Sequence, residues 1–180
     1  MAILKIIVAP DPRLKIKATP VKEVDAGIRK LMDDMLETMY AAPGIGLAAT
    51  QVGVDKRVIV IDIADTKNGE KPNPLRLANP EVIWASDDTS VYEEGCLSLP
   101  QKFEEVTRPA RVKIRALNEK NEQIEFEADD LLATCVQHEI DHLDGVIFVD
   151  HISRIKRDII LRKLMKEKKQ GAFDPKMHAL

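Results

Sequence analysis

The chain has 180 residues, a formal net charge of −3, and 44% hydrophobic against 32% charged residues. This length and composition are typical of one soluble globular domain, and no repeat, low-complexity tract or linker divides it. Two cysteines are too few for a disulfide scaffold, and free thiols suit a reducing cytosol. Because neither a signal-peptide pattern nor a run of roughly 20 apolar residues occurs, we expect a cytoplasmic protein without a membrane partner, folded as one domain over residues 1–180.

Short apolar or alternating segments predict strands, and longer segments with apolar residues at helical spacing predict helices. Each predicted helix begins at a candidate N-cap. In chain order the predicted elements are a strand at 3–8, a helix from Asp25 to Pro43-Gly44, strands at 57–63 and 77–85, a hairpin of strands 112–117 and 124–127, a helix from Asp129 or Asp130 to near Gly145, a strand at 146–149, and a helix from Ser153 through Lys169.

The predicted central helix contains the pattern H-E-x-x-H, formed by His138, Glu139 and His142. Residues i and i+4 lie on one face of a helix, so the two imidazoles can point at one metal ion. Glu139 can take a proton from a water on that ion, which is the hydrolytic use of the pattern. Coincidence is the alternative, and this composition produces the pattern by chance only about 0.007 times per chain.

A catalytic metal site usually has three protein ligands, so His138 and His142 need a partner. Cys135 shares their helix face, but an ion between the two histidines would lie roughly 7 Å further along the helix axis. A short thiol cannot span that distance, and Cys135 is better interpreted as a small residue lining the site. The third ligand should come from another segment. Other candidates are Cys96, His151, His178 and the carboxylates, of which Cys96 is the obvious thiol.

Two further segments have an unusual composition, but each is weak evidence for a functional site when taken alone. Residues 44–53 are small and glycine-rich, so their backbone could approach a ligand closely, although a tight turn into a packed strand would look the same. Within them, Gln51 could offer its amide to a developing oxyanion. Cys96, between Gly95 and a Leu-Ser-Leu-Pro turn, would by itself be a buried structural thiol; the incomplete histidine site makes a ligand the better interpretation.

Residues 154–169 carry eight Lys or Arg against two acidic residues, in a chain that is acidic overall. A solvated helix face is the usual explanation of such a run. The same excess of positive charge also suits docking on a polyanion such as RNA.

Three motifs occur in the order seen in peptide deformylases, and the sequence resembles that family over essentially the whole chain. The motifs are Gly44-Ile45-Gly46-Leu47-Ala48-Ala49-Thr50-Gln51, Glu94-Gly95-Cys96-Leu97-Ser98 and Gln137-His138-Glu139-Ile140-Asp141-His142. The resemblance implies an α+β fold with antiparallel β-sheets around the metal-binding helix, plus a C-terminal helix as in the bacterial form common in Gram-negative organisms. It also implies a hydrolase that removes the N-formyl group from the N-terminal methionine of nascent polypeptides and releases formate.

The resemblance also implies roles for individual residues, a cofactor and a partner. The cofactor is one divalent metal ion per chain, Fe²⁺ in the cell, which Zn²⁺, Ni²⁺ or Co²⁺ replaces. The basic helix is expected to dock on the ribosome. The implied roles are metal ligands (Cys96, His138 and His142), general acid/base (Glu139), oxyanion donors (Gln51 and the Leu97 N–H), peptide channel (Ile45, Gly46 and Gly95), and methionine pocket (Leu131 and Cys135, with Thr134 and Tyr92 as further pocket-lining positions).

Two other functions remain open at this stage. A zincin-type metallopeptidase would use the same helix with a third His or Glu ligand, but His151 and His178 do not have the usual spacing. A ribosome- or RNA-associated protein with a structural metal would rest on the basic helix alone. Formate release from formyl-Met-Ala-Ser would separate these functions.

Overall fold

The protein is described here from a computed structural model that covers residues 2–172. Over this range the chain forms three α-helices and seven β-strands, joined by short 3₁₀ turns. Their order is α1 (Ala26–Ala41), β1 (Gly46–Ala48), β2 (Val58–Ile61), β3 (Leu75–Ala85), β4 (Thr89–Cys96), β5 (Leu99–Pro109), β6 (Arg111–Leu117), β7 (Gln123–Asp129), α2 (Asp130–Leu143) and α3 (Arg154–Lys169).

The strands form two antiparallel sheets, one of five strands in the order β1-β2-β3-β6-β7 and one of the two strands β4-β5. Helix α2 packs against strands of both sheets. The predicted α+β class is therefore confirmed, with antiparallel sheets around a central helix and a helix near the C-terminus. As no helix in residues 2–172 is both long and apolar enough, none could cross a membrane.

Helix α2 is buried on most of its surface because apolar residues occur on several of its faces. Val136, Ile140 and Leu143 pack into a core shared with β2, β3 and β6. Its polar residues His138 and His142 are buried as well. Such a helix is held by tertiary packing, and buried polar groups within it need partners.

The other two helices begin where the sequence predicts. The side chain of Asp25 accepts a hydrogen bond from the Ile28 N–H, and Ser153 does the same for Lys156 N–H, so both residues cap their helices. The methionines of α1 are core residues. At α2, Asp129 occupies the N-cap position without a side-chain hydrogen bond to the helix.

Two predicted strands are wrong. Residues 3–8 form no strand, because the Ile7 N–H donates at 2.7 Å to the carbonyl of Gln51, which lies in a 3₁₀ turn and not in a strand. Residues 146–149 enter a 3₁₀ turn, Phe148–His151, because the Asp150 carboxylate accepts the Ile147 N–H at 3.0 Å and tightens the chain.

The hairpin of β4 and β5 was not predicted. Its inward positions include the charged residues Glu94 and Arg108, which form a salt bridge. The apolar alternation that indicates a strand is therefore absent. Beyond the hairpin, Ile160 and Leu164 of α3 pack into a core with Leu99 of β5. Helix α3 is thus attached to the sheet that carries Cys96.

Candidate active site

Cys96 lies at the end of β4, and His138 and His142 lie on α2. One ligand atom from each of the three residues lies within 4.8 Å of the others, and the Cys96 Sγ is 3.2 Å from the His142 Nε2. In the part of the chain that the structure describes, no other group of three His, Cys, Asp or Glu residues meets in this way. One thiol and two imidazoles are a donor set that suits a divalent transition-metal ion.

The surroundings of these three residues also fit a bound ion. His138 uses its Nδ1 on the Glu94 Oε1 at 2.8 Å, which leaves its Nε2 for the ion. The Glu139 Oε2 is buried and has no hydrogen-bond partner within the protein. An unpaired buried carboxylate oxygen is costly, and a water on the ion would supply the missing partner. The three residues could thus hold an ion together with a water molecule.

Glu139 is buried, and burial raises its carboxyl pKa to about 7. The backbone of Gly46 approaches this carboxylate closely, since an added Cβ would lie only 2.5 Å from the Glu139 Oε1. A glycine is therefore required at position 46 by close approach to this carboxylate. A carboxyl group with a pKa near neutrality can both accept and return a proton.

Gln51 is held in one orientation by three hydrogen bonds. Its Oε1 accepts the Ala48 N–H at 2.8 Å, and its Nε2 lies 3.4 Å from the Cys96 Sγ and 3.1 Å from the Ser98 Oγ. The side-chain amide thus points toward the thiol end of the site. Leu97 occupies the turn after β4, and its side chain packs beneath Gly44.

Arg108 and Glu94 form a buried ion pair, and Glu94 hydrogen-bonds to the Nδ1 of His138. The sequence did not indicate this pair. Arg108 donates through its Nε to the Glu94 Oε2 at 2.7 Å, through its Nη2 to Oε1 at 2.9 Å, and through its Nη1 to the Asp141 Oδ2 at 2.8 Å. Burial alone would raise the pKa of Glu94, but hydrogen bonds from Arg108 and His138 outweigh it and hold that pKa at about 2. Glu94 therefore orients the histidine as a carboxylate.

We expect Glu94→Gln to lower metal affinity about 10- to 100-fold, because groups that orient a metal-binding histidine have effects of this size. Competition with a chelator measures the change. The matched control is Glu105→Gln, which removes an exposed carboxylate from the same hairpin and should leave affinity unchanged. Equal affinities for the two variants would contradict an orienting role for Glu94.

The residues predicted to bind substrate all line one cleft of about 760 Å³, which Cys96 and His138 also line. They are Ile45, Gly46, Gly95, Leu131 and Cys135, with Tyr92 and Thr134 also on its wall. The buried Cys135 thiol is 3.8 Å from the Ile45 carbonyl oxygen, and burial raises its pKa well above the usual range. It is not part of the three-residue ligand group.

Among the described residues, no further histidine joins His138 and His142 to give the third ligand of a zincin-type site. The His151 Nε2 lies 2.8 Å from the Asp141 Oδ2, and no ligand atom of His151 joins those of His138 and His142. His178 lies outside the described residues. The group contains a thiol where a zincin would have a third His or Glu.

Comparison with known proteins identifies one family over nearly the whole chain. The family model described as polypeptide deformylase matches residues 3–158. The peptide deformylase of Phenylobacterium zucineum is 59% identical over 169 residues, which are 94% of this chain and 99% of that protein. That of Methylocella silvestris is 56% identical over 177 residues, 98% of this chain and 90% of that protein.

Solved structures agree with the sequence relatives. A crystal structure of peptide deformylase from Ehrlichia chaffeensis superposes with a TM-score of 0.89 at 37% identity and covers 96% of this chain and 100% of that chain. A second structure from the same organism, in complex with actinonin, has a TM-score of 0.87 at 40% identity and covers 93% of this chain and 98% of that chain. The chain therefore belongs to the peptide deformylase family and is a metal-dependent hydrolase that removes the N-formyl group from peptides.

Proposed function

We propose that Cys96, His138 and His142 hold one divalent metal ion and that Glu139 is the general acid/base of deformylation. The observation that carries the proposal is the convergence of the three ligand atoms within 4.8 Å beside the unpartnered Glu139 oxygen. We further propose that residues 1–180 form one cytoplasmic catalytic domain that acts on formyl-methionyl nascent peptides.

A divalent ion held here would lower the pKa of a water and polarise the formyl oxygen. Glu139 takes the proton of the attacking water and later returns it to the leaving amine, a role that its pKa of about 7 suits. The Gln51 Nε2 and the Leu97 N–H donate to the oxygen on which negative charge develops. Because Ala48 and Ser98 hold the Gln51 amide, its other Nε2–H, which faces the Cys96 Sγ, is oriented at the site before the substrate binds.

The cleft offers two strand edges to an extended peptide. β1 is the edge strand of the five-stranded sheet, and β4 pairs only with β5 among the described strands. Ile45, Gly46 and Gly95 line the cleft on these two sides, so the peptide backbone would hydrogen-bond as an added strand. The methionine side chain would then enter the pocket lined by Leu131 and Cys135. The Ehrlichia relative forms a complex with actinonin, which supports a ligand-binding cleft in a protein of this fold.

We propose Fe²⁺ as the metal in the cell, with Zn²⁺, Ni²⁺ or Co²⁺ as replacements, because one thiolate and two imidazoles suit all of these ions. Metal analysis of anaerobically purified protein, with formate release from formyl-Met-Ala-Ser, tests the proposal. With Fe²⁺, oxygen should inactivate the enzyme through the iron and Cys96, and Ni²⁺ should protect it. Failure to release formate with any of these ions would contradict the proposed function.

We also propose that α3 docks the enzyme on the ribosome through its basic surface. Ile160 and Leu164 face the core, whereas Arg162, Lys163 and Lys166 are exposed. These three cations form no salt bridge within residues 2–172. They are free to contact phosphates of ribosomal RNA.

Deleting residues 154–180 should weaken ribosome binding and leave turnover of short formyl peptides largely intact, but it also uncovers the core under Ile160 and Leu164. Changing Arg162, Lys163 and Lys166 together to Glu keeps the helix and isolates the charge effect. We expect cosedimentation with ribosomes to weaken and its salt dependence to decrease.

The control for this variant changes the exposed Lys22, Lys71 and Lys120 to Glu, which alters the net charge of the chain by the same amount elsewhere on the surface. This control should bind ribosomes as the wild type does. Equal weakening by both variants, or wild-type binding that does not depend on salt, would contradict a specific electrostatic dock.

A further inference from the structure

Phe103 on β5 is a large aromatic residue for which the proposed catalytic roles give no explanation. Its side chain is 60% exposed, although it lines the same cleft as the metal ligands. An exposed aromatic ring within a binding cleft is an unsatisfied apolar surface, and such surfaces commonly contact a ligand.

The ring lies across β4. Phe103 pairs with Gly95, and a Cβ added to Gly95 would lie 2.5 Å from the ring Cε1 and 2.6 Å from the Cδ1. Since glycine has no side chain, the ring occupies the space where a side chain at position 95 would lie, and both residues line the cleft. Gly95 is the residue before Cys96, so the ring stands close to the metal end of the cleft.

The proposed methionine pocket and the Phe103 ring lie on opposite faces of β4. Along the strand, Glu94 is buried while Glu93 and Gly95 are on the outer face. The proposed methionine pocket is on the inner side, where α2 contributes Leu131 and Cys135. Side chains of an extended peptide alternate between faces, so a second residue points outward when the methionine points inward.

We propose that Phe103 is a specificity-determining residue whose ring binds the side chain of the second residue of the formyl peptide. It would favour aromatic and large aliphatic side chains there. This inference rests on the proposed peptide channel between β1 and β4. The ring acts on binding and does not touch the formyl group.

The test compares formyl-Met-Phe-Ser with formyl-Met-Gly-Ser by formate release on each enzyme. We expect Phe103→Ala to lower the ratio of the two kcat/KM values about 2- to 12-fold, the effect of losing one aromatic pair. The change should be in KM, because the reacting atoms are unaffected. Phe103→Tyr should restore the wild-type ratio. A ratio taken on one protein does not depend on its folded fraction.

Val91 supplies the matched control, because it is 54% exposed on the same face of β4 but does not line the cleft. Val91→Ala should keep the wild-type ratio. An unchanged ratio in Phe103→Ala would overturn the proposal, as would a loss seen only with formyl-Met-Gly-Phe, where the aromatic residue is third. A wild type that released formate from neither peptide would overturn the proposed function as well, whereas turnover with an unchanged ratio overturns only the role of Phe103.

Discussion

Replacing Glu139 by alanine is expected to lower formate release by at least about 10²-fold while one metal ion per chain is retained. The metal should stay because Cys96, His138 and His142 form the ligand group without Glu139. Activity should fall because the ligand group itself contains no carboxylate that could accept the proton of the attacking water. Metal analysis and formate release on the same preparation measure both effects.

Gly46→Ala disturbs the same carboxylate from the opposite side. Its new Cβ would lie 2.5 Å from the Glu139 Oε1, so the side chain of Glu139 must move. We expect this variant also to lose activity and keep its metal. Near-wild-type turnover of Glu139→Ala would exclude the general acid/base role, and loss of the metal would show that Glu139 is itself a ligand.

Replacing Cys96 by alanine should remove metal and activity together, because the two histidines alone hold an ion poorly. Cys96 is the only thiol whose sulfur joins the histidine nitrogens in the described chain. Metal content after gel filtration, compared with the wild type, measures the loss. A Cys96→Ala protein that bound one metal per chain and released formate would show that another residue is the third ligand.

Cys135→Ala is the matched control, since it removes the other thiol of the same cleft. Its sulfur contacts the Ile45 carbonyl and not the metal ligands, so the metal should remain. The change should alter mainly stability or substrate affinity, by at most a few kcal/mol. Loss of metal from this variant would contradict the assignment of Cys135 to the cleft wall.

Features that depend on neighbours along the chain were predictable from the sequence. His138 and His142 share a face because a helix has 3.6 residues per turn, and the same geometry separates Cys135 from the ion. The caps Asp25 and Ser153 are local hydrogen bonds and are also confirmed. The incomplete histidine site also made Cys96 the best candidate for the third ligand, and the family resemblance added the α+β fold.

Features that depend on distant segments could be recognised only in the tertiary structure. Glu94 and Arg108 form the buried pair behind His138, yet each looks like an ordinary surface charge in the sequence. Their inward positions also hid the β4–β5 hairpin, because strand prediction relies on apolar alternation.

The sequence by itself determined that one helix carries a two-histidine metal motif with an adjacent carboxylate, because helical periodicity is a local property. Only the tertiary structure decided that Cys96 completes the group, that Arg108 and Glu94 orient His138, and that Phe103 crosses Gly95 at the cleft. These contacts join residues that are far apart in the chain. Their existence depends on how the two sheets pack around α2, and local sequence patterns do not encode that packing.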